Sequence, residues 1–232
     1  GFPVGPTWVP IVPSAILFDL NIGDHRVRPN PEMAYRACEA ATSNPVEEGC
    51  VGAGMGATVG KLFGKEWSMK SGLGSLGRVF DDGLKMGALV VVNSFGDILD
   101  PSSGEIIAGA RNPENPKTFI NTSLALSTGG KAIGFTPSNT TLAVVATNAR
   151  LTKAEANKLA QMAQIGLAKT LSPCHSVYDG DVIFALSVGE VNATLTRVGI
   201  IAAELVAESV VRAIKKASSM GGRPSWKDLQ TG

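Results

Sequence analysis

Aromatic residues make up only 6% of the 232 positions, and the chain holds just three cysteines and two histidines. With few rings available, the core has to be assembled from Ala, Val, Ile and Leu in closely approaching layers, which suits the 27 glycines. Cys38, Cys50 and Cys174, odd in number and irregular in spacing, form neither a disulfide framework nor a zinc pattern and point to a reducing, cytoplasmic home. An excess of one charge is also missing. The formal net charge is +1 with both signs interspersed, which offers no extended field to a polyanion and argues against a nucleic-acid partner. No run approaches the roughly 20 apolar residues of a membrane helix. The opening "GFPVGPTWVPIVPSAILFDL" lacks the basic flank and apolar core of a signal peptide, so no membrane partner is expected. That opening resembles neither an initiator sequence nor a domain start, which suggests a longer gene product. What is present is 44% hydrophobic content, ample for one large domain or two small ones.

Along the chain, "AILFDL" (15–20) reads as a buried strand and "PEMAYRACEAAT" as a short helix with Pro31 in its first turn. Residues 49–77 are dominated by glycine and suggest loops or strand edges where backbones come close. "MGALVVVNSFGDILD" reads as a continuous apolar strand, and 109–138 as one long exposed connection. The second half is more regular. "TLAVVAT" is a strand, and the next segment a helix whose Thr152 and Glu155 match a capping box. "DVIFALSVG" is another strand, followed by a long helix ending on Lys215 and Lys216. Strand, helix, strand, helix calls for helices covering sheets. The tail "SSMGGRPSWKDLQTG" reads as frayed or as an arm.

Candidates for chemistry have to be weighed against plain structural roles. Gly52, Gly54 and Ala57 satisfy a dinucleotide-binding spacing, but no convincing strand precedes them and no acid follows about 20 residues on, so tight packing accounts for them better. "MGATVGKL" fails as a phosphate loop because Met55 stands where glycine is needed and Leu62 where a hydroxyl should hold magnesium. Lys61, following glycines, could be a buried ammonium beside a functional group. His175 with Asp179 and Asp181 could suggest a triad or a metal site. A metal would want more ligands, and His25 is the other imidazole of the chain. Taken alone, "DGD" reads as a turn and Asn93 as a strand-end turn former.

"SNTTLAVVATNA" allows a sharper reading. A threonine hydroxyl is a poor nucleophile without a base, and cutting the preceding peptide bond frees one beside it, the α-amine. That amine has a pKa of about 7.7–8, close to the pH at which it must accept a proton. The same hydroxyl could make the cut by attacking the Asn139 carbonyl.

The stretch from "SNTTLAVVATNARLTKAEA" through "SPCHSVYDGDVIFALSVGE" resembles the self-processing region of the L-aminopeptidase/D-esterase (DmpA-type) family, which includes β-aminopeptidases and nylon-oligomer hydrolases. "VPIVPSAILFDLNIGD", "GCVGAGMGATVGKLFG" and "GALVVVNSFGDILD" resemble it in the same order, so the likeness covers all but the tail. The resemblance implies an α+β fold, a four-layer αββα sandwich of the N-terminal-nucleophile kind shared with ornithine acetyltransferase-like proteins. It further implies a single domain made as a precursor and cut between Asn139 and Thr140 into residues 1–139 and 140–232. Thr140 would be the nucleophile, Lys61 the cation that holds or tunes it, and Asn93 a donor to the oxyanion. Asp179 and Asp181 would orient the nucleophile and its ammonium, and His175 then needs no catalytic role. No metal or cofactor is implied. The partners would be a small peptide, amide or ester substrate, the chain's own cleaved half, and copies of itself in a homo-oligomer, a tetramer. The resemblance also implies an upstream glycine-rich segment that lines the site, ahead of the point at which this sequence opens, so that a fragment, a trimmed chain and a truncated homologue are all expectations. Variants of the reading are an endo-acting ω-amino-acid oligomer hydrolase, an acyltransferase on a related fold, and an assembly protein without activity.

Overall fold

The computed structural model describes residues 1–133 and 139–230. A short hairpin of β1 (Phe2–Val4) and β2 (Thr7–Val9) leads to helix α1 (Pro31–Glu39), which has Pro31 in its first turn and Asn30 as its N-cap. Then come β3 (Thr58–Val59), β4 (Met69–Lys70), β5 (Leu73–Val79), β6 (Lys85–Val91), β7 (Asp97–Leu99), β8 (Ile106–Ala108), β9 (Ala110–Arg111), β10 (Phe119–Ile120) and helix α2 (Thr122–Ser127). The second half supplies β11 (Leu142–Ala149), α3 (Lys153–Ala168), β12 (Leu171–Ser172), β13 (Val182–Val191), α4 (Leu195–Lys216) and α5 (Trp226–Gln230). The architecture is α+β, as expected.

The main sheet has the order β13-β11-β6-β5, and β11 lies parallel to β13 but antiparallel to β6. One face of it is covered by α3 and α4. Ala143, Val145, Ala88 and Val90 on the strands and Leu159, Ala163, Ala202, Val206 and Val210 on the helices share one buried cluster. Small side chains permit this closeness, as the aromatic-poor composition requires. Gly74 carries the point furthest: a Cβ there would stand inside the radius of the Ser209 carbonyl oxygen of α4. Gly74→Ala is therefore expected to destabilise the protein by about 1–3 kcal/mol, read as a lower urea midpoint with an unchanged slope. The capping box of α3 is complete. Thr152 accepts from the Glu155 amide, and the Glu155 carboxylate accepts from the Thr152 amide.

Four expectations need correction. Residues 15–20 form no strand and Ile16 is 88% exposed, because the apolar run finds no ladder partner among the described residues. "MGALVVVNSFGDILD" is two strands, β6 and β7, broken at 92–96, the turn that carries Asn93. The described part of 109–138 is not a simple exposed connection, because Asp97 gathers it in. Its buried carboxylate accepts from the Ala110 amide, the Thr122 amide and the Thr122 hydroxyl, while burial pushes its pKa up to about 6. The tail is packed as well: Trp226 and Leu229 lie against the core, and Pro224 accepts from the Lys70 amide.

Candidate active site

Register brings the candidate residues together. Leu142, at the start of β11, pairs with Val91 at the end of β6 and with Val182 at the start of β13. The segment before β11 (Asn139–Thr141), the turn after β6 (Asn93–Gly96) and the "DGD" turn before β13 therefore meet at one end of the sheet. A bridge between Asn139 and Asp179 extends the parallel pairing back to the junction, and Val182 donates to the Thr141 carbonyl at 3.0 Å.

Lys61 reaches the same point from a different direction. Gly60 donates to Gly96 O and Lys61 to Phe95 O, which docks this segment against the 93–96 turn. Gly60 has φ +72° and backs onto the Gly109–Ala110 peptide, so a side chain there would collide with backbone. The Lys61 amino group donates to Asn93 O (3.1 Å), Asn93 Oδ1 (2.9 Å) and Asn139 Oδ1 (2.8 Å). Burial lowers its pKa to about 7, against the opposing pull of Asp179 and Asp19. Near neutral pH it is thus divided between ammonium and free amine.

At the junction, the Thr140 hydroxyl donates to its own preceding carbonyl, Asn139 O, at 2.5 Å. The same oxygen accepts from the Gly180 amide at 2.9 Å, and the Thr140 amide donates to Asn93 O at 3.1 Å. Asn93 is fully engaged, with Oδ1 accepting from Thr58 N and Lys61 and its amide donating to Phe18 O. In this arrangement the backbone donor on the Asn139 carbonyl is Gly180, beside the Thr140 hydroxyl. Asp179 accepts from the Phe95 amide and the Ser176 hydroxyl, while burial raises its pKa. Asp181 accepts from the Thr141 amide through Oδ1. All five candidates and the Asn139–Thr140 junction belong to one connected cluster.

Sequence reasoning missed Asp19 and the Gly180 amide. Asp19 lies against Gly56, and its charge reaches both Lys61 and the buried Lys70, whose amino group donates to the carbonyls of Gly54, Ala57 and Ser71. Of the glycines here, Gly54 abuts Leu73 N and Gly49 O and Gly56 backs onto the Asp19 side chain, whereas Gly52 turns the chain at φ +50° with open space around it. Cys38, Cys50 and Cys174 are free thiols. Among the described residues no helix is long and apolar enough to cross a membrane.

The profile of peptidase family S58 matches residues 4–227. An uncharacterized aminopeptidase of Mycobacterium leprae is 36% identical over 249 residues, covering 94% of this chain and 64% of that protein. A 6-aminohexanoate-oligomer endohydrolase of a Kocuria species is 26% identical over 230 residues, covering 88% and 61% respectively. The chain thus spans less than two thirds of the length of both. Among solved structures, the L-aminopeptidase D-Ala-esterase/amidase of Ochrobactrum anthropi superposes with a TM-score of 0.58 at 23% identity, over 83% of this chain and 51% of its own. A β-aminopeptidase of a Burkholderia species gives 0.55 at 23% identity, over 86% and 57%. These likenesses show that the fold is of the N-terminal-nucleophile hydrolase kind.

Proposed function

Because this chain belongs to peptidase family S58, we propose that it is a self-cutting amidohydrolase that removes amino-terminal residues from small peptides, amides or esters through an acyl-enzyme on Thr140. The observation that carries this reading is the Thr140 hydroxyl resting on the Asn139 carbonyl oxygen, which also accepts from, and is polarised by, the Gly180 N–H.

Before the cut, the Thr140 nitrogen is an amide and cannot serve as base. Lys61, which meets the junction through Asn139 Oδ1 at 2.8 Å and has a pKa of about 7, is assigned here as the group that takes the hydroxyl proton once the hydroxyl turns from the Asn139 carbonyl oxygen. Oγ1 attacks the Asn139 carbonyl carbon, the C–N bond breaks as its nitrogen gains the proton, and an ester remains. Water hydrolyses that ester to an Asn139 carboxylate and a free Thr140 amine. The new amine is then base to its own hydroxyl, and the same attack on a substrate carbonyl gives the acyl-enzyme. Asp179 and Asp181 keep the junction and its ammonium oriented.

The two pieces stay together after the cut. β11, from 140–232, pairs with β6, from 1–139, along Leu142–Thr147, and α4 packs over β5 and β6. The working unit is this pair of chains, assembled further into a homo-oligomer, a tetramer.

Asp19 supplies the anion that a substrate with a free amino group needs. Asp19→Asn is expected to raise KM for an amino-acid p-nitroanilide about tenfold or more, since a charged hydrogen bond contributes roughly 1.5–3 kcal/mol, and, by removing a charge that holds the Lys61 pKa up, to move the inflection of the self-cut to lower pH. An unchanged KM would remove Asp19 from substrate binding. The Kocuria relative favours a second reading, endo-hydrolysis of ω-amino-acid oligomers. Product lengths from a 6-aminohexanoate oligomer separate the two. Single residues released from one end support the aminopeptidase, and internal fragments support the endohydrolase.

A further inference from the structure

Cys174 and His175 lie immediately beside the site but take no part in the chemistry above. Cys174 Sγ, a His175 ring nitrogen and an Asp181 carboxylate oxygen all lie within 4.8 Å of one another. His175 Nδ1 stands 3.4 Å from Asp181 Oδ2, too far for a good hydrogen bond. Asp181 Oδ2 is buried and has no hydrogen-bond partner among the described residues, although the Asp181 side chain is 0% exposed. A buried carboxylate oxygen without a donor is costly and needs an explanation. We propose that Cys174, His175 and Asp181 form a binding site for a zinc-class divalent cation, with a fourth position open to water.

The donor set of one thiolate, one imidazole and one carboxylate suits a borderline-soft ion. Its two anionic ligands neutralise the dication, which is what a partly buried site needs. Ligand atoms around tetrahedral zinc stand about 3.5 Å apart, so a modest rotation of the half-exposed imidazole closes the set. Asp181 is already fixed for this task, because its other oxygen holds the Thr141 amide at 2.8 Å. His175 is held at φ 52°, a left-handed conformation uncommon for a residue other than glycine. Binding displaces the Cys174 thiol proton, so it strengthens as pH rises. By engaging Asp181, the bound ion restrains the Asn139–Thr141 junction and inhibits.

The test is titration of the purified full chain with Co2+ and then Zn2+. One equivalent of Co2+ is expected to give a sulfur-to-cobalt charge-transfer band that Zn2+ abolishes. Cys174→Ser should lose the band, and His175→Asn, which keeps a residue tolerant of positive φ, should weaken binding at least tenfold. A double Cys38→Ser, Cys50→Ser variant should retain both. A band that survives Cys174→Ser, or equal affinity in His175→Asn, overturns the site. Binding does not depend on the hydrolase reading, so the two fail separately. Stoichiometric Zn2+ is further expected to slow turnover of an amino-acid p-nitroanilide in the wild type but not in His175→Asn, and equal rates would contradict the inhibitory coupling.

Discussion

Thr140→Ala is expected to leave one uncut chain of 24.0 kDa and to lower amide hydrolysis by about four orders of magnitude, to the level that binding and oxyanion donors sustain alone. The variant removes the hydroxyl that lies 2.5 Å from the Asn139 carbonyl oxygen while keeping the β11 register intact. Thr140→Ser is the companion variant: it keeps a nucleophile and should still be cut. A Thr140→Ala protein that is cut as fast as the wild type would move the nucleophile elsewhere. If both variants remain uncut but Thr140→Ser is folded, the methyl group, and not only the hydroxyl, sets the attack geometry.

Lys61→Met should slow the self-cut by about 10²–10⁴-fold, the range for losing a positioned base. Its pH dependence gives a sharper test than its size. The free amine is the competent form, so the wild-type rate should rise through about pH 7 and level off above it. In the variant the inflection should vanish. Stability follows a different window. The folded pKa of about 7 lies below the ordinary lysine value of 10.5, so between those limits the unfolded chain binds more protons. Stability contributed by this position therefore rises with pH across that window, and Lys61→Met should flatten the rise. Urea midpoints at two pH values within the window detect it. A cut rate that remains inflected at about 7 in Lys61→Met would assign the base to another group.

How much of this could be read from the sequence depended on the distance over which each signal acts. The capping box of α3 and the regular strands β11 and β13 are local patterns, and the sequence placed them well. The junction is a different case: taken alone "NTT" and "DGD" are turn formers, and only the likeness to a known family singled out Asn139, Thr140 and the two aspartates, which the strand register then brings together. Asp19 was obscured by its own neighbours. "AILFDL" has the look of a strand, and only the fold places that carboxylate against Gly56 with its charge reaching Lys61, 42 residues on. The Gly180 donor left no trace because a backbone N–H has no side chain to advertise it. The tail and the 109–133 segment were misjudged for a related reason: their polar, turn-rich composition conceals the Asp97 carboxylate and the Trp226 ring that tie them down.

The central claim is that the arrangement around Asn139 and Thr140 is chemically competent in this chain. The most direct measurement is denaturing and native mass spectrometry of the purified wild-type protein after incubation near pH 8, with sequencing of any new amino terminus. The account predicts two polypeptides, residues 1–139 and 140–232, the second beginning at Thr140, that separate under denaturation and travel together in the native spectrum. A chain that stays whole at 24.0 kDa throughout, or is cut at any other bond, would contradict it.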